Sequence, residues 1–222
     1  MSETVWKAVD EYLVETVVGV DPILEEALKA NAAAGLPAID VSPAQGKVLY
    51  LLAKMCDARR VLEVGTLGGY STIWLGRAVG DGGSVITLEL EQKHADVARE
   101  NISRAGLAGV VEVRVGPAGE SLAVLEKEKV APFDLIFIDA DKESGAAYLE
   151  VALRLSRVGT VVIVDNVIRD GEVANAASAD PRVIGSRRVL EMMGSDARLE
   201  ASALQMVGAK GYDGFAIGLV RG

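Results

Sequence analysis

The sequence predicts an α/β protein built on a doubly wound, mostly parallel seven-stranded sheet, with extra helices at the N-terminus. Two observations predict this fold. From Arg60 onward, apolar runs alternate with stretches of helical period, and most of these runs are continuous and rich in Val, Ile and Leu, as in strands buried on both faces. The 222 residues suffice for one such domain. We expect helices over residues 1–57 and the α/β core over residues 58–222.

Three helices are predicted before the first strand. The first, residues 3–17, has an apolar face at helical spacing. The second, residues 22–33, starts at a proline and stops before a loop that contains Gly and Pro. The third, residues 43–56, follows Ser42, a side chain suited to cap a helix N-terminus.

The remainder alternates strand and helix until residue 166, where a loop rich in Asp, Asn and Ala leads to Asp180. This alternation is typical of parallel strands joined by right-handed crossovers. The predicted strands are residues 59–65, 84–90, 110–116, 133–139, 160–166, 197–204 and 214–220. The predicted helices between them are residues 70–79, 92–105, 120–128, 144–156 and 181–193.

Composition excludes several classes of function. The formal net charge of -9 opposes nonspecific nucleic-acid binding, which depends on Lys and Arg. No apolar run approaches the roughly 20 residues of a membrane span, and the acidic N-terminus lacks the pattern of a signal peptide. Cys56 is the only cysteine, so no internal disulfide can form. We expect a cytoplasmic protein that binds neither membrane nor nucleic acid.

The sequence contains one histidine, which further limits the chemistry. His94 is followed by a helical stretch, so we interpret it as a helix-surface residue. A Ser-His-Asp triad would have to use it, and a metal site with two histidines is impossible. The usual hydrolase mechanisms are therefore disfavoured.

Oxygen-bearing side chains end two apolar runs. Asp139 and Asp141 follow the fourth predicted strand, and Asp165 and Asn166 follow the fifth. Because the carboxyl ends of neighbouring parallel strands meet at one crevice, these groups are expected to converge there. Two carboxylates and an amide oxygen suit a divalent cation, and Lys142 would lie beside it. Asp141 is expected to serve local structure.

A glycine turn follows the first strand. Its glycines, Gly65, Gly68 and Gly69, do not have the G-x-G-x-x-G spacing of a dinucleotide site. Glu63 lies just before the turn, where a carboxylate would repel a phosphate and attract a cation. Glu89 ends the second strand, at about the separation where an acid binds ribose hydroxyls. Together these residues describe a site for an adenosine that is positively charged.

The sequence resembles the class I S-adenosylmethionine-dependent methyltransferases, and within them the cation-dependent O-methyltransferases that include catechol and caffeoyl-CoA O-methyltransferases. The similarity covers nearly the whole chain, including VLEVGTLGGYSTIWL, FDLIFIDADK and VIVDNVIRDGEV. It implies a Rossmann-like methyltransferase fold. It implies that Lys142 and Asp139 are catalytic and that Asp139, Asp165 and Asn166 bind metal. It also implies cofactor contacts from Val41, Glu63, Gly65, Thr66, Ser71, Glu89, Ala118 and Asp139, of which the adenine-side contact at Ala118 departs most from the family pattern.

The resemblance implies transfer of a methyl group from S-adenosylmethionine to one hydroxyl of a vicinal dihydroxy aromatic compound. Mg²⁺ is the first choice of cation, and Ca²⁺ or Mn²⁺ would also accept these ligands. Other functions that remain open are an S-adenosylmethionine-binding protein without metal-dependent chemistry, an aminopropyltransferase and a nicotinamide oxidoreductase. Acceptor choice is expected to depend on the N-terminal helices, residues 169–180 and residues 210–213.

The first helix raises the question of assembly. Its apolar face must pack on its own domain, as a lid over the cofactor, or on another copy of the chain. The residues of this face are Val5, Val9, Tyr12, Leu13, Thr16 and Val17. The residues alone leave both arrangements open, and the resemblance favours a homodimer.

Overall fold

A computed structural model describes residues 3–222, and it confirms the predicted fold. Seven strands form one sheet in the order β3-β2-β1-β4-β5-β7-β6, in which β7 runs antiparallel to both its neighbours. The strands are β1 (Arg60–Val64), β2 (Ser84–Glu89), β3 (Val111–Val115), β4 (Phe133–Ile138), β5 (Ser156–Asp165), β6 (Leu199–Gly208) and β7 (Gly211–Val220).

Helices cover both faces of this sheet. They are α1 (Glu3–Leu13), α2 (Pro22–Ala33), α3 (Pro43–Met55), α4 (Tyr70–Val79), α5 (Gln92–Arg104), α6 (Ala118–Glu128), α7 (Gly145–Arg154) and α8 (Pro181–Ser195). Within residues 3–222, no helix has the length and apolar character needed to cross a bilayer.

Alternate side chains of each central strand point into two separate cores. In β1, Val61 packs among the residues of α2 to α5, whereas Leu62 packs among those of α6 to α8. Val61, Leu62 and Val64 are all buried, which explains why this strand is mostly apolar, with Glu63 as its one charged residue in the buried part. Because β1, β4 and β5 lie side by side and parallel, their carboxyl ends form one edge.

The first predicted helix changes type before its end. A π-helical turn over Val14–Val18 continues α1, where the sequence predicts one regular helix to residue 17. The Thr16 hydroxyl donates to the Tyr12 carbonyl at 2.6 Å, which competes with the regular backbone ladder. The predicted cap of α3 is confirmed, since the Ser42 hydroxyl accepts from the Gln45 N–H and the Gln45 side chain bonds back.

Three boundaries differ from the prediction. The fifth strand starts at Ser156 rather than Thr160, because Gly159 adopts φ +90° and the Thr160 hydroxyl donates to the Phe133 carbonyl. The helix after β3 starts at Ala118 rather than Glu120. The last hairpin is longer than predicted: β6 and β7 extend to a tight turn at residues 209–210, permitted by Gly211 at φ +99°.

Candidate active site

The structure brings Asp139, Lys142 and Asp165 together where β4 and β5 end. The Asp139 N–H donates to the Val64 carbonyl at 2.8 Å, which fixes the end of β4 against β1. The Lys142 ammonium donates to Asp139 Oδ1 at 2.8 Å. Burial raises the pKa of Asp165, and the nearby negative charge of Asp139 raises it further, whereas Lys142 acts in the opposite direction. The single positive charge of Lys142 therefore acts on both carboxylates, Asp139 and Asp165.

Asn166 follows directly and has an unusual backbone. Its φ of +57° is left-handed, a conformation that Asn tolerates better than most residues. Its N–H donates to Asp165 Oδ1 at 2.8 Å, and its carbonyl accepts from the Ser186 hydroxyl of α8. Within residues 3–222, its side-chain amide has no hydrogen-bond partner. The amide oxygen is therefore free to bind a ligand.

These residues fit a divalent cation. The buried Asp165 and the neighbouring Asp139 repel each other, and Lys142 supplies a single positive charge. A divalent cation bound between the carboxylates would relieve that repulsion. Mg²⁺, Ca²⁺ and Mn²⁺ all bind carboxylate and amide oxygens as ligands. No cluster of three or more His, Cys, Asp or Glu side chains occurs in the described chain, so the amide of Asn166 is needed to complete the set.

Two close packing contacts fix this edge. At Gly65, with φ +101°, a Cβ atom would lie 2.2 Å from the Asp139 carbonyl oxygen, so only glycine lets β1 and β4 end so close together. At Gly185 in α8, a Cβ would lie 2.1 Å from the Lys142 carbonyl oxygen. The backbone of Lys142 is thus held between β4 and α8.

Asp141 has the local structural role that the sequence predicts. Its carboxylate accepts from the Ser144 N–H at 3.1 Å and from the Tyr148 hydroxyl at 2.5 Å. These bonds organise the start of α7 and lower the pKa of Asp141, although burial acts to raise it. It is not available as a ligand.

Glu63 lies deeper than the sequence prediction places it. Its side chain is fully buried, and hydroxyl groups of Ser71, Thr72 and Thr87 donate to its carboxylate. Burial raises the pKa of Glu63 to about 7 despite these three donors. The Ser71 hydroxyl donates its hydrogen bond to Glu63, so the lone pairs of the Ser71 oxygen remain able to accept from a donor in the crevice. Glu63 thus acts through Ser71.

Glu89 holds the glycine turn as well as the end of β2. Oε2 accepts from the N–H groups of Thr66 and Leu67, at 3.2 and 2.7 Å, and Oε1 accepts from the Glu91 N–H at 3.0 Å. Leu67 has φ +49°, so these bonds support a strained turn. A carboxylate has about four acceptor sites, which leaves Oε1 able to take a hydroxyl as well.

His94 is a residue whose position the sequence prediction missed. It was expected on the open surface of α5, but its side chain is only 22% exposed and its Nδ1 lies 3.4 Å from Glu89 Oε1. The sequence feature that could have predicted this position is that His94 lies in the first turn of the helix after Glu89. Residues in that turn face the end of the preceding strand. It lies beside the acid predicted to bind ribose.

A second group that the sequence analysis missed connects the N-terminal helices to the glycine turn. Asn31 of α2 donates to Asp40 at 2.9 Å and accepts from Asn101 of α5, also at 2.9 Å. Asn101 in turn donates to the Gly68 carbonyl at 2.8 Å. Asn31 and Asn101 are buried, and such single polar residues in helices give no recognisable sequence pattern.

The two remaining predicted cofactor residues occupy separate elements. Val41 is buried in the loop between α2 and α3, next to Asp40. Ala118 starts α6, after β3, and is partly buried against the core on that side of the sheet. Val41 lies across a cavity from the end of β5, and Ala118 lies beyond β2. Both are therefore next to the carboxyl edge of the sheet.

A cavity adjoins the candidate metal ligands Asp165 and Asn166. It has a volume of about 460 Å³ and reaches from Asp165 and Asn166 to Val41. Its walls are mainly apolar, with side chains from α1, α3, β5 and the β6–β7 hairpin. An apolar cavity next to hard oxygen ligands suits a small aromatic molecule with polar groups at one end.

Comparison with known proteins agrees with this arrangement. A family model described as O-methyltransferase matches residues 14–215. Catechol O-methyltransferase of Mycobacterium tuberculosis is 56% identical over 96% of this chain and 95% of that protein. Catechol O-methyltransferase of Niastella koreensis is 49% identical over the whole of both chains. The crystal structure of an O-methyltransferase from Bacillus cereus in complex with SAH superimposes with a TM-score of 0.98 at 56% identity, covering 99% of this chain and 100% of that one.

Proposed function

The chain belongs to the O-methyltransferase family, and from this premise we propose that it methylates one hydroxyl of a catechol-type aromatic, with S-adenosylmethionine as donor and a divalent cation as cofactor. The observation that supports the acceptor class is the apolar cavity of about 460 Å³ whose end is formed by Asp165 and Asn166. Vicinal hydroxyls at that end would meet the oxygen ligands while the ring fills the apolar part.

We propose Asp139, Asp165 and Asn166 as the metal ligands, with Mg²⁺ as the first choice. When bound, S-adenosylmethionine supplies an activated methyl group and the cation lowers the pKa of the acceptor hydroxyl. Lys142 is proposed to accept the proton of that hydroxyl. Asp139 holds the Lys142 side chain through the 2.8 Å hydrogen bond, which keeps its nitrogen beside the proposed metal ligands.

The donor site is proposed along the carboxyl ends of β1, β2 and β4. Ser71, oriented by Glu63, would accept from the ammonium of the methionine half, and Glu89 Oε1 would accept from a ribose hydroxyl. Gly65 and Thr66 form the floor of this site, Val41 and Asp139 its side towards the acceptor, and Ala118 its adenine end. The bound ligand of the Bacillus cereus structure supports a donor of this type.

Family membership argues against two other functions. Neither a nicotinamide oxidoreductase nor an aminopropyltransferase is expected in a chain that matches the O-methyltransferase family over residues 14–215. The remaining alternative is a protein that binds S-adenosylmethionine without metal-dependent chemistry. The following experiment distinguishes it from the proposed function.

The test is to incubate the protein with S-adenosylmethionine and catechol, with and without EDTA, and to measure the methyl ether by mass spectrometry. Product is expected without EDTA, with loss on chelation and recovery on addition of excess Mg²⁺. Full turnover after exhaustive chelation would refute the metal requirement. Absence of product with Mg²⁺ present would refute the catechol acceptor.

We propose that the protein is a homodimer formed through the N-terminal helices. Along α1, Val5, Val9 and Tyr12 are 45%, 50% and 64% exposed, and no residue of α1 is buried. The π-helical turn after α1 contacts α3, whose Met55 is 81% exposed. Exposed apolar side chains on two N-terminal helices that contact each other through this turn are typical of an interface between copies of the chain. We propose on composition alone that the enzyme is cytoplasmic.

A further inference from the structure

The tight turn between β6 and β7 lies at the acceptor cavity and is held by the first helix. The Asp10 carboxylate of α1 accepts from the Ala209 N–H at 2.7 Å. A Cβ on Gly208 would lie 2.6 Å from the same carboxylate oxygen, so the glycine lets Asp10 reach the turn. Asp10, Gly208 and Lys210 all line the cavity. These contacts hold the turn in a position where Lys210 lines the cavity proposed for the acceptor.

Lys210 differs from the other charged residues of this cavity. Among cavity-lining residues in the described range, it is the only one with a cationic side chain. It forms no ion pair within 4.0 Å in the same range. Burial lowers the pKa of its ammonium, while the negative charges of Asp40, Asp139 and Asp165 act to raise it. An ammonium in this setting would be stabilised by a nearby anion.

The other acidic residues of the cavity, apart from Asp165 at the proposed metal site, all accept hydrogen bonds from the chain. Asp10 accepts from the turn, and Asp40 accepts from Asn31 at 2.9 Å. Asp213 accepts from the N–H groups of Ile168, Arg169 and Gly214, each at 3.0 Å. Within the described residues, Lys210 is the charged group of the wall that can donate to an anion.

We propose that Lys210 is a specificity-determining residue that binds an acidic group of the acceptor, so that the preferred substrates are catechols with a carboxylate at the end of the ring away from the two hydroxyls. This proposal rests on the proposed function, since it assumes that the hydroxyls lie at Asp165 and Asn166. Asp10 would be a positioning residue, acting through the turn that it holds.

The test compares catechol acceptors of different charge, of which the acid and its amide have nearly the same shape. The probes are protocatechuate, which has the carboxylate, its uncharged amide, and dopamine, which has a cation. In the parent enzyme, kcat/KM is expected to be highest for protocatechuate. In Lys210→Met, the ratio of kcat/KM for the acid over the amide is expected to fall at least tenfold, mainly through KM. Lys210→Arg should keep most of that preference, and Lys210→Glu should shift it towards dopamine.

The matched control is Lys127→Met, an exposed lysine at the end of α6, which should leave the ratio unchanged. Asp10→Asn should reduce the ratio less than Lys210→Met. The proposal is overturned if Lys210→Met lowers turnover of acid and amide equally, or if the parent does not prefer the acid. Failure to methylate any of the three probes would instead refute the proposed function.

Discussion

We propose Lys142 as the side chain that takes a proton from the acceptor, because Asp139 fixes its nitrogen near Asp165. We predict that Lys142→Met lowers kcat by about 10²-fold or more, the usual contribution of a general base. The affinity for S-adenosylmethionine should change little, which calorimetry can measure. Raising the pH should partly restore the variant, because more of the acceptor hydroxyl ionises without help.

A purely structural role for Lys142 would give a different result. The variant would then lose affinity and thermal stability together with kcat, and higher pH would not restore turnover. Lys142→Met as active as the parent at neutral pH would contradict the assignment as base. Lys127→Met serves again as the control for loss of one positive charge.

Glu63 couples folding to proton uptake. Its pKa is raised by burial to about 7 in the folded chain, whereas an unfolded Glu titrates near its ordinary value of 4.5. The folded state therefore binds more protons between these values, so this contribution to stability is present at low pH and lost as pH rises through that window. At about 1.4 kcal/mol per pKa unit, the loss is about 3 kcal/mol at most.

We predict that Glu63→Gln removes this contribution. Urea denaturation gives the free energy of unfolding at pH 5 and at pH 8. The decrease between these two pH values should be smaller in the variant than in the parent. Other buried acids, Asp165 among them, affect both proteins in the same way. Glu120→Gln, an exposed glutamate in α6, is the control and should follow the parent. Equal pH dependence in parent and Glu63→Gln would contradict the prediction.

Among the elements, the contact between α3 and α4 leaves no room for a larger side chain at Gly46. A Cβ on Gly46 of α3 would lie 2.2 Å from the indole nitrogen of Trp74. We predict that Gly46→Ala destabilises the protein by about 1–3 kcal/mol, as overpacking does, although alanine favours a helix. Because α3 forms one wall of the cavity, KM for the acceptor should rise as well.

The control for this prediction is Gly119→Ala in α6, where a Cβ would meet nothing within 4 Å. That substitution should stabilise by about 0.5–1 kcal/mol through helix propensity. Thermal unfolding of the two variants measures both effects. If Gly46→Ala and Gly119→Ala shift the melting temperature in the same direction, the packing argument is wrong.

The elements also show what a sequence can predict. Strand-helix alternation predicted the five parallel strands, because most buried parallel strands are continuous apolar runs that can be recognised without knowledge of their neighbours. The same reasoning placed Asp139 and Asp165 at one edge. The last two strands were predicted separately from the tail of the sequence. That prediction did not give the true length of the β6–β7 hairpin, since β6 is largely exposed and its outer part has no apolar run. The positions of His94 and Asn31 depend on contacts between distant segments, which a local pattern does not show. Residues 210–213, in contrast, were predicted to affect acceptor choice, and Lys210 does line the cavity.

At the scale of the whole molecule, the two sides of α1 differ. On one side, Asp10 and Leu13 line the cavity that we propose for the acceptor. Val5, Val9 and Tyr12 remain exposed on the other. A helix that rests on its domain through so few groups would be held more firmly by a second copy of the chain. Dimer formation and the order of the acceptor cavity should therefore be linked.

We predict that the native protein elutes with a mass near twice its 23.3 kDa in size exclusion coupled to light scattering at micromolar concentration. The double variant Val9→Asp with Met55→Glu should elute as a monomer, because two charges would be buried without partners in an apolar interface. Val124→Asp is the control, since Val124 of α6 is 44% exposed and lies away from the N-terminal helices. If the link to the cavity holds, the monomeric variant should also show a higher KM for the acceptor than Val124→Asp. A parent mass near one chain would reject the dimer and leave α1 as a lid alone.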